Sequence, residues 1–253
     1  MKRGAKKFFY GTFYLAILGL LALGFYNTFL KPAASCFDRM QNQGEEGVDC
    51  GMSACGKICL PVDIRPVVQS GKVEVAAISQ GVYSLLVLVS NPNTGYALEN
   101  FDYKFDFRNT AGEIIKTLSG NSFIYAGEQK YISEPVVETG ALDVSTVSFS
   151  LGNEEWTNAN DFEQPKIEGS TKKEESPSGI KVLGVMRNAS TVNLPLVTAV
   201  AVFTSNSGDI LGTATTQVDN LNAGDSKEFV ISHPRFPGNP EFISNVFIYG
   251  KRP

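Results

Sequence analysis

Four cysteines carry the most evident chemistry in this chain, and all of them fall between residues 36 and 59, in Cys36-FDRMQNQGEEGVD-Cys50-GMSA-Cys55-GKI-Cys59. Clustered thiols can pair as disulfides, cage a tetrahedral metal ion or cycle as a redox couple. The segment is rich in glycine and acids and poor in apolar residues, so it cannot order itself by burying surface and needs a covalent or metal staple. In an oxidising compartment two disulfides are expected, and four cysteines allow three pairings between which the sequence does not choose. Zinc is the rival reading, against which stands the lack of paired C-x2-C knuckles. A redox pair would need a thioredoxin-like βαβ context, which does not surround these cysteines.

Between the cysteines lie Asp38, Asn42, Glu45 and Asp49. These are hard oxygen donors in a glycine-containing loop, the donor set that calcium takes, and they are equally the residues of tight turns. The segment resembles a small module of bacterial exported proteins with the pattern C-x-D-G-x-x-N-x-x-E-x-x-x-D-C-G-G-x-C-x-x-C. Cys36, Asp38, Asn42, Glu45, Asp49, Cys50 and Gly51 match it in register, Arg39 and Met52 replace two of its glycines, and each spacing after Cys50 is a residue longer.

No other stretch supplies a catalytic set. The single histidine, His233, lies in HPRFPGNP, and there is no Gly-x-Ser-x-Gly elbow, phosphate loop or HExxH motif, so no enzyme is expected and no catalytic residue is assigned. His233 reads as a surface loop residue. Tyr96 in NPNTGY, with Arg235 and Phe236 in the proline-rich loop, are candidate binding residues, because aromatic and arginine side chains on stiff loops make protein contacts; their alternative is packing at the end of a domain.

What must position the cysteine segment is the stretch before it. Phe8 to Leu30, FFYGTFYLAILGLLALGFYNTFL, is uncharged and long enough as a helix to cross a hydrocarbon core of ~30 Å. Lys2, Arg3, Lys6 and Lys7 crowd its N-terminal side, which by the positive-inside bias keeps the N-terminus cytoplasmic and places the rest outside the cell membrane. A cleaved signal peptide ending near Ala33-Ala34-Ser35, or lipidation at Cys36, would export the chain equally. The formal net charge of -4 and the absence of a basic cluster beyond this flank argue against nucleic-acid binding.

After the anchor, strong β-formers and turn residues dominate and no long helical periodicity remains. The remainder repeats itself at an offset of about 97 residues, with Asn91, Gly112, Gly127 and Gly152 answered by Asn188, Gly208, Gly224 and Gly250. Phe101, Tyr103, Phe105 and Phe107 alternate with Asp102, Lys104, Asp106 and Arg108, the pattern of a strand with one buried and one wet face. The equivalent Val200, Val202 and their neighbours are more uniformly apolar, which calls for a more covered strand. Several short strands punctuated in this way predict an antiparallel sandwich.

Each copy, at 65 to 157 and 162 to 253, is similar to the FxLYD and type 2 late-embryogenesis-abundant (LEA) β-sandwich domains. The likeness rests on Asn91, Phe101 to Phe107, Gly112 and Ala126-Gly127-Glu128, then on Asn188, Val200 to Phe203, Gly208 and Ala223-Gly224-Asp225. It implies non-enzymatic domains for adhesion, scaffolding or assembly, with a protein or cell-envelope partner. The expected architecture is therefore all-β: two tandem antiparallel Ig/fibronectin-like β-sandwiches behind one transmembrane helix and a small Cys-rich loop module. Its parts are a basic flank at 1–7, the helix at 8–30, the Cys-rich module at 31–60, a connector at 61–70, sandwiches at 71–157 and 165–253, and a linker at 158–164. The two sandwiches are expected to stack end to end, and Lys172 to Gly179 to form an exposed turn.

Overall fold

The computed structural model describes residues 3–27, 36–42, 44–61, 63–140, 144–176 and 179–253. It divides into two compact units, Met1–Cys59 and Leu60–Pro253. In the first, helix α1 spans Arg3–Phe25 and a single turn, α2, spans Met52–Cys55. The C-terminal end of the expected span, residues 28–30, lies outside the described residues. Among the described residues no helix is long and apolar enough to cross a membrane. The apolar side chains of α1 are uncovered nevertheless: Phe13, Leu15, Leu18, Leu20 and Leu21 are each more than 60% exposed.

The second unit is built from antiparallel sheets. Its first half contains β1 (Val68–Ser79), β2 (Val82–Ser90), β3 (Tyr96–Arg108), β4 (Ile114–Ile124), β5 (Gln129–Glu138) and β6 (Thr146–Asn158). These form one sheet of order β1-β2-β5 and another of order β4-β3-β6. The second half contains β7 (Ile167–Ser176), β8 (Gly179–Asn188), β9 (Leu194–Ser205), β10 (Ile210–Leu221), β11 (Ser226–His233) and β12 (Phe242–Lys251). Its sheets, β11-β8-β7 and β10-β9-β12, repeat the same connectivity strand for strand. The repeat read from asparagine and glycine spacing is thus a repeat of topology.

Each half closes its two sheets over its own core. In the first, Leu85, Val87 and Val89 of β2 and Ile132 of β5 meet Phe101, Tyr103, Phe105 and Phe107 of β3. In the second, Val182, Met186 and Ile231 meet Val197, Ala199, Ala201 and Phe203. The alternation along β3 is followed residue by residue, and each fully buried phenylalanine contributes roughly 2–3 kcal/mol. The tight connections after β3 and β9 place Gly112 at φ 82° and Gly208 at φ 92°, a region in which a side chain would be strained.

A buried asparagine stands at the end of the second strand of each half, Asn91 just after β2 and Asn188 as the last residue of β8. Asn91 donates from Nδ2 to the carbonyls of Tyr96 (2.8 Å) and Tyr125 (3.0 Å), and its Oδ1 accepts from the backbone N–H of Asn93. Asn188 repeats the device, donating to Val192 (2.7 Å) and Leu221 (3.0 Å) and accepting from the N–H of Ser190. The same residues receive the glycine-acid turn on their main chain, since Asn91 N–H donates to the Glu128 carbonyl and Asn188 N–H to that of Asp225. One amide therefore ties both sheets of its half together where no ladder can, with its own buried oxygen and nitrogen both partnered.

The halves do not stack end to end. The outer face of β1-β2-β5 lies against the outer face of β10-β9-β12, with Leu86, Val200 and Val202 at its centre and Tyr131, Ile210, Phe247 and Tyr249 around them. The reason is already in β9: Ala199, Ala201 and Phe203 point into the second core, so Val200 and Val202 on the other face need a cover of their own. Hydrogen bonds fix the register of the contact. Ser84 Oγ accepts the Thr213 N–H (2.9 Å), Ser133 Oγ donates to Thr213 Oγ1 (2.7 Å), and Tyr125 OH donates to the Gly250 carbonyl (2.8 Å). The linker adds to this, because Phe162 is buried and stacks on Tyr125 with centroids 4.6 Å apart.

Two further expectations are revised. The connector expected at 61–70 packs: Val67 is buried in the first core, and the Arg65 N–H donates to Asn93 Oδ1 (3.0 Å). The charged run Lys172 to Glu175 belongs to strand β7, not to a turn, and residues 177–178 lie outside the described residues. On that sheet edge its ion pairs, Lys172 with Glu174 (3.1 Å) and Lys173 with Glu175 (2.9 Å), oppose the addition of a further strand.

Replacing the repeated amide tests its role. Asn188→Ala removes the amide's bonds to the half-buried Val192 carbonyl, to the buried Leu221 carbonyl and from the Ser190 N–H, and is expected to cost about 3 kcal/mol in urea unfolding, against less than ~0.5 kcal/mol for the exposed Asn206→Ala. A loss no larger than that of the control would refute the role given to it.

Candidate functional site

The cysteine segment forms two interleaved disulfides, Cys36–Cys55 and Cys50–Cys59, with Cα separations of 5.6 and 5.0 Å. No cysteine is free, which excludes a thiolate zinc cage. The bridges span 19 and 9 residues. Loops of that size gain roughly 3 kcal/mol per bridge from the restricted unfolded chain. They hold a module without a core: Phe37, Met40, Val48 and Met52 are all more than half exposed, and α2 buries no residue.

The four oxygen donors singled out from sequence do converge here. Asp49 Oδ1 accepts the N–H of Asp38 (3.0 Å), and its Oδ2 accepts the N–H of Arg39 (2.9 Å). Asp38 Oδ2 accepts from Asn42 Nδ2 (2.9 Å), and Glu45 Oε2 accepts the N–H groups of Asn42 (3.1 Å) and Asp49 (3.3 Å). Each carboxylate is thus engaged by a donor within the loop, while Asn42 Oδ1 is buried with no partner. Glu45 Oε1 also sits 3.2 Å from Cys55 Sγ, a sulfur already in a disulfide and so no thiolate ligand. Arg39, at a glycine position of the exported-module pattern, has φ 60°. The left-handed backbone is what the pattern's glycine would supply.

The other sequence candidates lie apart from one another. Tyr96 opens β3, half-buried, and gives its carbonyl to Asn91. Arg235 is exposed at a pocket of about 320 Å³ with Lys173, Glu175 and Glu241, donating to the Ser176 carbonyl (2.8 Å) and to Asn239 Oδ1 (2.7 Å). Phe236 is not offered to a partner. It is 7% exposed and packs on Phe203, His233 and Phe242, because the proline-rich loop folds back over the open end of the core. His233, expected on the surface, is buried in the same cluster, with Nδ1 on the Pro234 carbonyl (2.6 Å) and Nε2 without a partner. Burial holds its pKa below the usual histidine value, so the ring is neutral at pH 7.

A further site was not singled out from sequence. Where the halves meet, a cleft of about 430 Å³ is lined by residues of both, among them Tyr103, Phe123, Lys130, Tyr131, Tyr249 and Lys251. Lys130 is buried, donates to the Phe123 carbonyl (2.9 Å), and its Nζ lies 3.2 Å from the centroid of the Phe123 ring. Burial, opposed by Glu128 and reinforced by Lys251, brings its pKa down to about 7. Glu128 is buried beside it and accepts from the Tyr125 N–H (2.8 Å) and from Gln164 Nε2 (3.2 Å), while desolvation pushes its carboxyl up. At the cleft wall Tyr103 OH donates to Glu134 Oε1 (2.7 Å). The only forewarning in sequence was the glycine-acid turn at Gly127-Glu128, which says nothing of the neighbouring lysine's burial.

No protein-family model and no curated protein matches the chain.

Two measurements test this part of the structure. Arg39→Gly is expected to relieve the left-handed position by about 1 kcal/mol, seen as a roughly fivefold smaller reduced fraction at fixed dithiol; easier reduction would contradict the backbone assigned to Arg39. His233 is the chain's one histidine, so its ring resonances titrate alone. Because its folded pKa lies below the unfolded value of about 6.5, it binds more protons unfolded and its contribution to stability is lost as pH falls below that value. The unfolding midpoint should therefore drop from pH 7 to 5 by less in His233→Leu than in the parent chain; an equal drop, or a ring pKa above 6.5, would overturn this.

Proposed function

We propose that the chain is a single-pass membrane protein with its N-terminus in the cytoplasm, displaying a disulfide-stapled module and two immunoglobulin- or fibronectin-like sandwiches of the FxLYD and type 2 LEA kind. Its work is non-catalytic: contact with a protein or with the cell envelope, as an adhesive, scaffolding or assembly component. The observation that carries this reading is the pairing of all four cysteines in a module with no core, C-terminal in sequence to a helix, Arg3–Phe25, whose apolar side chains are uncovered. Such a module depends on an oxidising compartment, and such a helix depends on a covering that lipid would supply. The uncharged stretch Phe8 to Phe25, with Lys2, Arg3, Lys6 and Lys7 crowded before it and only Lys31 and Arg39 in the residues up to Cys50, supports the orientation.

A calcium-responsive sensor is the second reading, favoured by one feature, the buried and unpartnered Asn42 Oδ1 among Asp38, Glu45 and Asp49. One experiment addresses both. Intact cells are treated with protease and, in parallel, with a membrane-impermeant crosslinker, with and without a calcium chelator. Residues 36–253 should be cleaved from outside and an envelope component captured regardless of calcium. A chain protected in intact cells would refute the display, and capture only with calcium present would favour the sensor.

A further inference from the structure

Lys130 of β5 and Lys251 of β12, one from each half, approach the same ring across the cleft: their Nζ atoms lie 3.2 and 5.9 Å from the Phe123 centroid. Neither forms an ion pair among the described residues, whose pairs lie elsewhere on the surface. Glu128 acts on Lys130 only from beyond that range, its carboxylate being held by Tyr125 and Gln164. Two amines brought together in a partly dried cleft repel one another when both are protonated, and attraction to the ring returns only ~1–2 kcal/mol. An anion between them would remove the conflict.

The rest of the wall restricts what that anion belongs to. Tyr131 and Tyr249 present half-buried rings, Asn100, Asn121 and Gln217 present amides, and the one carboxylate in the lining, Glu134, accepts the Tyr103 OH. Tyr249 OH accepts the Tyr131 N–H (3.0 Å), which leaves its own proton for a ligand. Aromatic faces lie well against the C–H faces of a pyranose, and amides and phenols pair with its hydroxyls. The volume, about 430 Å³, falls within the ~300–1,000 Å³ of small-ligand sites. We propose that this cleft binds a carboxylate-bearing saccharide, with Lys130 and Lys251 holding the carboxylate, Tyr249 donating to a ring substituent, and both halves needed to complete the site. The proposal rests on the reading of the chain as a displayed binding protein and names the class of ligand it would meet.

The test is calorimetry on the full chain in detergent micelles, with a galacturonate tetramer as probe and maltotetraose and polyglutamate as comparisons. The galacturonate tetramer should bind one site per chain, more weakly as salt rises, while maltotetraose gives no measurable heat. Lys251→Ala, at a partly exposed position, should weaken binding at least tenfold with the thermal melt unchanged. Lys130→Met should do the same and serves as the second variant, since a buried methionine keeps the volume of the stem. No heat at millimolar galacturonate tetramer, unchanged affinity in both variants, or polyglutamate binding as tightly as the sugar would each overturn the proposal. Protease accessibility of the chain in cells is independent of this result, so a failed titration would remove the ligand and leave the display standing.

Discussion

A β-strand with apolar side chains on both faces must be covered twice, and the β-rich unit of this chain, Leu60–Pro253, is arranged around that requirement in β9. Its inner face closes the second core through Ala199, Ala201 and Phe203, and its outer face, Val200 and Val202, is closed by Leu86 of the first half. Covering it places the two halves side by side, with Ser84 and Thr213 buried in mutual hydrogen bonds and Tyr125 reaching the backbone at Gly250. The repeat is thus not a pair of independent beads. The corresponding outer face of β3 carries Asp102, Lys104, Asp106 and Arg108 and has no need of a partner.

The same apposition produces the polar chemistry at the junction. Lys130 would be an ordinary lysine at the end of an exposed strand; beside the second half it loses water, and its ammonium is left to a carbonyl, a ring and a distant carboxylate. Burying charge in this way costs stability unless something compensates it. That cost is the ground on which an anionic ligand is proposed for this cleft. His233 shows the contrasting case, a titratable ring buried among Phe203 and Phe236 whose consequence is a dependence of stability on acid.

The cysteine module works by a different rule. It buries almost nothing, so its shape rests on two crossing bridges and on carboxylates that accept backbone N–H groups across the loop. Gly47 is packed against the second bridge, where a Cβ would come within 2.8 Å of Cys50 Sγ. Acids at those spacings read as calcium donors or as turn formers; in the folded loop their hydrogen bonds are those of turn formers, and among the four residues Asn42 Oδ1 is the buried oxygen without a partner.

Much of the fold was legible because it depends on neighbours along the chain. Alternation gave β3 its inner face, the glycines after β3 and β9 gave two hairpins, and the equal spacing of Asn91 and Asn188 gave the repeat. The uniformly apolar character of Val200 and Val202 even announced a covered strand. What the residues did not announce was the identity of the cover. Which face met which, that the proline-rich loop would turn Phe236 inward, which cysteines would pair, and that Lys130 and Lys251 would share a ring were all decided by tertiary contacts. Local sequence fixes which side of a strand avoids water, but burial and the approach of distant groups depend on surfaces that exist only after both halves have folded.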